Sequence, residues 1–124
     1  MIIGIGCDVV EHDTTRDLGW SSNPVRLQRI FSTQELAMLD DHKTDRFLSG
    51  RFAAKEAVLK CLGTGMKDGI SLKDVQILQT EAGRPIIQIE GETQKLALQM
   101  GIANWHISIS HSSHNSTAFV VAES

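Results

Sequence analysis

Acidic and basic side chains occur in this sequence at places where an ordinary soluble domain keeps apolar ones. Residues Ile2 to Val10 alternate and are rich in Ile and Val, so they predict a strand. Ile3, Ile5, Cys7 and Val9 lie on one face of it, and Gly4, Gly6 and Asp8 on the other. Two glycines weaken a strand, so the bare face needs a reason. Either another body approaches closely and meets the carboxylate of Asp8, or a helix packs tightly on the glycines and Asp8 caps something nearby. Downstream, Arg51 and Lys55 fall one turn apart inside the large apolar arc of a long helix, with Glu56 and Lys60 on its margin. A buried cation is costly unless an anion meets it. Lys60 has an inexpensive alternative, snorkelling or pairing with Glu56. Arg51 and Lys55 are read as holding an anion.

Two further motifs suit a phosphate-bearing ligand. Gly63-Thr64-Gly65, with Lys67 just after, reads first as a helix C-cap and a tight turn. A helix C-terminus repels phosphate, so an anion there needs the turn's N–H groups arranged as a nest, with Lys60 and Lys67 nearby. The order Gly-Lys-Ser/Thr of a Walker loop is missing. In Ser108-Ile109-Ser110-His111-Ser112, His111 continues the inward phase of Trp105, Ile107 and Ile109. It is either a satisfied structural histidine or, beside three serines, part of a polar ligand site. No Gly-x-Ser-x-Gly elbow supports a hydrolase. His111-x-x-His114 makes a poor zinc site, because the cysteines lie in distant elements.

These groups need a scaffold. Beyond the first strand, Asp13 to Leu39 predicts short helices around Ser21-Ser22-Asn23-Pro24, with another starting at Ser32-Thr33 and Glu35 in its first turn. A polar link, Asp40 to Asp45, precedes the long helix, which Asp45 caps and Gly63 stops. The large residues Phe47, Leu48, Val58, Leu59 and Leu62 share one arc of that helix. Ser49, Gly50, Ala53, Ala57 and Cys61 form a small-residue face. Short strands follow at Val75 to Leu78 and Pro85 to Ile89, joined by Glu81-Ala82-Gly83-Arg84. A helix from Glu92 to Met100 and a strand pair, Trp105 to Ser110 and Ala118 to Val121, complete the chain. The class is α+β with mostly antiparallel strands.

With 124 residues the chain is expected to form one domain, 1–124, whose modest core leaves a deep site in need of a neighbouring subunit. A net charge of −3 argues against a nucleic-acid binder. No stretch reaches membrane-spanning length, and Asp8 and Glu11 come too early for a signal peptide. Cys7 and Cys61, each in an apolar run, read as buried hydrophobes of a reducing, cytoplasmic compartment.

Taken together, these segments resemble one family. Gly4-Ile5-Gly6-Cys7-Asp8-Val9-Val10-Glu11 is similar to the N-terminal signature of holo-acyl-carrier-protein synthases. Arg51-Phe52-Ala53-Ala54-Lys55-Glu56-Ala57-Val58-Leu59-Lys60, followed by Leu62-Gly63-Thr64-Gly65, resembles the second signature. Gly83-Arg84-Pro85 resembles a Gly-Lys-Pro turn, and Ile107-Ser108-Ile109-Ser110-His111-Ser112 a third signature. The resemblance implies the 4'-phosphopantetheinyl transferase fold. It also implies transfer of 4'-phosphopantetheine from coenzyme A to a serine of apo-acyl carrier protein, for fatty acid biosynthesis. Adenosine 3',5'-bisphosphate leaves.

By the same resemblance Asp8 and Glu56 hold Mg²⁺, and Lys60 lies near the transferred phosphate. Arg51, Gly63, Thr64, Gly65, Arg84, Pro85, His111 and Ser112 line the coenzyme A site. The family is typically a homotrimer with active sites at subunit interfaces. Its carrier protein docks on the helix after the first strand, where Arg16, Arg26 and Arg29 supply positive charge. There this chain departs from the pattern, reading His12-Asp13-Thr14-Thr15-Arg16-Asp17 in place of an apolar residue and an Arg-Ile pair. Which group removes the serine proton is left open by the sequence. Two rivals remain: a transferase of the same fold serving other carriers, and a nucleotide-binding module without catalysis, which has no need of both Asp8 and Glu56.

Overall fold

Strand β1 (Ile2–Glu11) passes directly into helix α1 (His12–Leu18), which stops at Gly19. The computed structural model describes residues 1–39, 44–64 and 70–124. A 3-10 turn (Trp20–Ser22) leads to α2 (Pro24–Ile30), capped by the Asn23 side chain and opened by Pro24. Helix α3 (Thr33–Met38) starts with a full capping box. The Ser32 hydroxyl accepts from the Glu35 N–H, and the Glu35 carboxylate accepts from the Ser32 N–H.

Helix α4 (Asp45–Leu62) is the long helix expected. Its cap is Thr44 rather than Asp45. The Thr44 backbone is extended and its hydroxyl reaches the Phe47 N–H at 3.2 Å, which leaves Asp45 in the first turn, where the helix dipole favours a carboxylate. Gly63 ends the helix at φ 73°, a left-handed conformation that costs glycine little. Residues 40–43 of the polar link, and Gly65 and Lys67, lie outside the described residues.

After a 3-10 turn (Leu72–Asp74), β2 (Val75–Gln79) and β3 (Pro85–Ile89) pair as an antiparallel hairpin. Helix α5 (Gly91–Gln99) precedes β4 (Asn104–His111) and β5 (Asn115–Glu123). The larger sheet runs β1-β5-β4, all antiparallel, with β5 in the middle and β3 alongside β4.

Helix α4 lies across this sheet, small-residue face down. The two glycines of β1 make the contact possible. A Cβ on Gly6 would stand 1.8 Å from the Ala57 carbonyl oxygen, and one on Gly4 would stand 2.4 Å from that of Cys61. The helix therefore occupies the bare face, and Ile5, Cys7 and Val9 point away from it. Cys7 is exposed, contrary to the expectation of two buried cysteines, because the strand turns its glycines inward. Cys61 is buried, and its Sγ meets the Val120 carbonyl. Leu59, Leu62, Val75, Ile77, Val120 and the alanines of α4 fill the main core. A second core forms around Trp20, Leu27, Phe31 and Leu48, where Trp20 stands edge-on to Phe31 and Phe52. Each such large side chain contributes about 1.5–3 kcal/mol on burial.

Lys55, fully buried, has its anion inside the protein. Its Nζ donates to Glu35 Oε1 at 2.6 Å and to the carbonyls of Leu72 and Val75 at 2.8 and 2.7 Å. Glu35 also accepts from the Ile77 N–H. The anion expected for Lys55 is thus Glu35, and three acceptors satisfy the lysine's three N–H bonds. The pair joins α3, α4 and β2. Burial, opposed by the charge of Glu35, lowers the Lys55 pKa to about 8.

Candidate active site

Asp8 follows Gly6 by two residues on β1, so its side chain lies on the strand face that meets α4. Glu56 precedes Ala57, whose carbonyl rests on Gly6. The glycine contact thereby sets the two carboxylates at one edge of the helix–sheet seam. Burial, and then the charge of Asp8, raise the Glu56 pKa above the ordinary carboxylate value, while Lys60 acts the other way. Lys60 Nζ donates to Asp8 Oδ1 at 3.1 Å and to the Cys7 carbonyl at 2.8 Å. Its partner is therefore Asp8 rather than the Glu56 considered from helix spacing. Lys60 is half exposed and remains open to a ligand. Among the described residues no group of three or more His, Cys, Asp or Glu is placed to hold a metal ion. Two carboxylates at one edge fit a hard cation that takes its remaining oxygens from water and phosphates.

A cavity of about 390 Å³ opens on the other side of α4. Phe47, Gly50 and Arg51 come from the helix, Gln79, Gly83, Arg84 and Pro85 from the β2–β3 hairpin, and Ile107 to Ile109 and His111 from β4. Arg51 is only 6% exposed. Its Nη2 donates to Gln79 Oε1 at 2.9 Å, and its guanidinium lies over the Phe47 ring. Its Nη1 is buried without a hydrogen-bond partner. An orphaned donor on a charged group costs about 1–3 kcal/mol or more. The unmet hydrogen-bonding capacity thus belongs to a cation that lines the cavity. Burial lowers the Arg51 pKa, against the attraction of Glu35. His111 packs over Gly50, where a Cβ would sit 2.5 Å from its Cε1. The glycine is there to admit the imidazole.

The other residues singled out from sequence fall in several places. Arg84 and Pro85 line the cavity. Ser112 does not: its hydroxyl closes the β4–β5 turn, accepting from the Asn115 N–H and donating to the Asn115 carbonyl. Gly63 is exposed at the helix stop, and the neighbouring Thr64 Oγ1 is buried without a partner. On the α1–α2 surface Arg16 pairs with Asp13 and Asp17, and Arg26 donates to the Leu18 carbonyl. Arg29 is exposed in the last turn of α2, beside no ion-pair partner among the described residues. Sequence reasoning missed Gln79, Gly50 as a seat for His111, and Ser116 of β5, a buried residue hydrogen-bonded to His111. Gly50 alone carried a signal, as a glycine inside a long helix.

The two regions do not merge. At about 100° per residue, Arg51 and Glu56 are separated by roughly 140° around the helix. The small-residue stripe that faces the sheet lies on the longer, roughly 220° way round between them. The carboxylates therefore sit at the β1 edge and the cavity at the β4 edge.

The sequence matches the family model of the 4'-phosphopantetheinyl transferase superfamily over residues 4–118. It is 45% identical to the holo-acyl-carrier-protein synthase of Hydrogenovibrio crunogenus, covering 100% of this chain and 98% of the relative. It is 40% identical to that of Vibrio parahaemolyticus, over 99% and 98%. Among solved structures it resembles the Neisseria meningitidis enzyme with a TM-score of 0.89 at 32% identity, over 100% of both chains. The Bacillus anthracis synthase, solved in complex with CoA (3',5'-ADP), gives 0.81 at 32%, over 100% and 98%.

Proposed function

The chain belongs to the 4'-phosphopantetheinyl transferase superfamily, and on that premise we propose that it transfers 4'-phosphopantetheine from coenzyme A to a serine of apo-acyl carrier protein. The observation that carries this reading is the buried, half-satisfied Arg51 in a cavity shared with Arg84 and His111. It offers donors to a nucleotide phosphate. Phosphoryl-type transfer asks a protein chiefly for positioning and charge neutralisation. The carrier serine attacks the β-phosphorus of the pyrophosphate, and adenosine 3',5'-bisphosphate leaves. Lys60, tethered to Asp8 and half exposed, offsets charge on the leaving oxygens. Asp8 and Glu56 would hold Mg²⁺, which supplies Lewis-acid neutralisation of the pyrophosphate when bound.

A homotrimer accounts for the division of the site. The carboxylate edge of one protomer and the cavity edge of its neighbour together make what a single chain separates. The outer face of the sheet suits that contact. Ile5, Val9 and Phe119 are 56%, 61% and 45% exposed, and Cys7 stands opposite Phe119. Such a run of apolar surface on one sheet face marks an interaction site.

The carrier protein would dock at α1 and α2, where Leu18 and Val25 are exposed near Arg26 and Arg29. Because Asp13 and Asp17 flank Arg16, Arg29 is expected to carry more of the steering charge. A cytoplasmic place in fatty acid biosynthesis accords with two free cysteines. Among the described residues no helix is long and apolar enough to cross a membrane.

The test is incubation with coenzyme A, Mg²⁺ and apo-acyl carrier protein, read by the intact mass of the carrier. Gain of one phosphopantetheine on the serine is expected. Coenzyme A binding without modification, in the presence of Mg²⁺, would leave only a nucleotide-binding module.

A further inference from the structure

A chain of hydrogen bonds reaches the cavity from outside it. Ser116, fully buried on β5, holds three partners: the Arg46 carbonyl at 3.0 Å, His111 Nδ1 at 2.6 Å and His12 Nε2 at 2.9 Å. A hydroxyl has one proton to give and two lone pairs. The Arg46 carbonyl can only accept, so it takes that proton. Both histidines must then donate to the Ser116 oxygen. His111 accordingly carries its proton on Nδ1, and its Nε2 bears the lone pair. No protein group among the described residues bonds that Nε2, and its ring lines the cavity over Gly50.

We propose that His12 and Ser116 are positioning residues for coenzyme A recognition, fixing the tautomer and ring plane of His111 so that a bare Nε2 faces the bound nucleotide. This rests on the reading of the cavity as the nucleotide pocket. His12 is itself held from two sides. Its N–H donates to the His114 carbonyl at 2.8 Å, and one turn later Thr15 meets Ser49 of α4 through their hydroxyls at 2.6 Å. These contacts pin the start of α1 to the β4–β5 turn and to α4, which fixes the point from which the imidazole reaches Ser116. The first residue of α1, which departs from the family's apolar pattern, acts on the ligand site from behind it.

The arrangement gives the cavity one atom with two uses. Neutral, Nε2 accepts from an amine or hydroxyl of the nucleotide. Protonated, the same atom donates to a phosphate oxygen while Nδ1 stays bonded to Ser116, so neither state requires a ring flip. The groups that face His111 are His12 from α1 and Arg46 and Arg51 from α4. Burial first, then Arg46, His12 and Arg51, lower its pKa and favour the neutral ring. Fixing the outer nitrogen of a histidine in this way is how supporting residues orient ligating histidines at metal sites, where their loss costs about 10–100-fold.

The experiment pairs two readouts on the full chain. Long-range ¹H–¹⁵N spectra of the ligand-free protein report the His111 tautomer. Calorimetry with coenzyme A, and KM against kcat, report its use. The protein is expected to show Nδ1 protonated and Nε2 bare. Ser116→Ala should turn His111 into a tautomer mixture and weaken coenzyme A by about tenfold, through KM with kcat nearly kept. His12→Ala, at a half-buried surface position, should move both readouts the same way by less, and it carries the test if Ser116→Ala does not fold. His111→Ala should weaken binding at least as much as Ser116→Ala. Unchanged coenzyme A binding in His111→Ala would overturn the nucleotide reading of the cavity. An Nε2-protonated His111 in the unaltered protein overturns the positioning role. So does weakened binding in His111→Ala with no change of tautomer or affinity in the other two variants.

Discussion

The contact between Gly6 and Ala57 can be tested by adding one methyl group. In Gly6→Ala the new Cβ starts 1.8 Å from the Ala57 carbonyl oxygen and 2.7 Å from its carbon. Reaching ordinary contact distance requires roughly 1.5 Å of separation between β1 and α4. The clash is with backbone on both sides, so no side-chain rotation relieves it. Overpacking of this kind costs about 1–3 kcal/mol, occasionally more, and backbone-to-backbone contact puts this case at the upper end. A loss of about 3 kcal/mol lowers Tm by roughly 10 °C in a chain of this size. The same displacement moves Asp8, two residues on, away from Glu56. A misplacement of about 1 Å at reacting groups can lower turnover on the order of 100-fold. Thermal unfolding at fixed protein concentration measures the first effect. The activity of the folded fraction against Mg²⁺ concentration measures the second, with a right-shifted midpoint expected. A variant with unaltered Tm and unaltered Mg²⁺ midpoint would refute the claim that this contact positions the carboxylates. Should Gly6→Ala not fold, Gly4→Ala, with a less severe 2.4 Å approach to Cys61, serves as the milder version.

Lys60→Ala should lower kcat and kcat/KM together by about 100-fold, with circular dichroism unchanged, because a half-exposed ion pair contributes little to stability; near-normal kcat would return Lys60 to a structural role. Lys55→Met strands the buried Glu35 carboxylate and should destabilise the protein by about 3–5 kcal/mol. Any folded fraction of it should bind coenzyme A normally in calorimetry. Arg29→Glu should raise KM for the carrier protein, chiefly at low salt, more than Arg16→Glu does, with coenzyme A affinity unchanged; equal effects would show that the flanking aspartates do not blunt Arg16. The folded His111 titrates below 6.5. As pH falls through 6.5, the unfolded chain takes up a proton that the folded one refuses, so this residue's contribution to stability shrinks until the folded midpoint is reached. Two-dimensional NMR should place that midpoint below 6.5, and a value above it would contradict the buried, positively flanked setting.

Local chemistry was readable in the sequence wherever it is settled within a few residues. The Ser32–Glu35 capping box, the Gly63 stop and the β3 strand from Pro85 to Ile89 came out as expected. Asp8 and Glu56 stand out in the sequence because glycines in a strand and charges in a buried helix each break a rule, whereas Mg²⁺ between them is what the family resemblance implies. What escaped depended on distant partners. The anion for Lys55 is Glu35, from a helix outside α4's own pattern, and helix periodicity cannot reveal it. Whether the glycines of β1 faced a helix or another body was undecidable until α4 was seen lying on them. Cys7 looked buried because its neighbours are apolar, yet it shares the face that points away from the helix. Gln79 and Ser116 gave no sign of their roles, since each matters only through a side chain brought beside it by the sheet.

The sheet order β1-β5-β4 also constrains when the enzyme can come into being. β1 is made well before β4, yet among the described residues both obtain their strand partner from β5, which follows them in the chain. Pairing elements almost a chain length apart carries a loop-closure cost before any ladder forms. Until then the exposed edges and the apolar row of Ile5 and Val9 are an aggregation hazard for the nascent chain. Helix α4 is complete before β4 and β5 are made and can shelter the glycine face of β1 in the meantime, which casts it as the scaffold on which the sheet is later assembled.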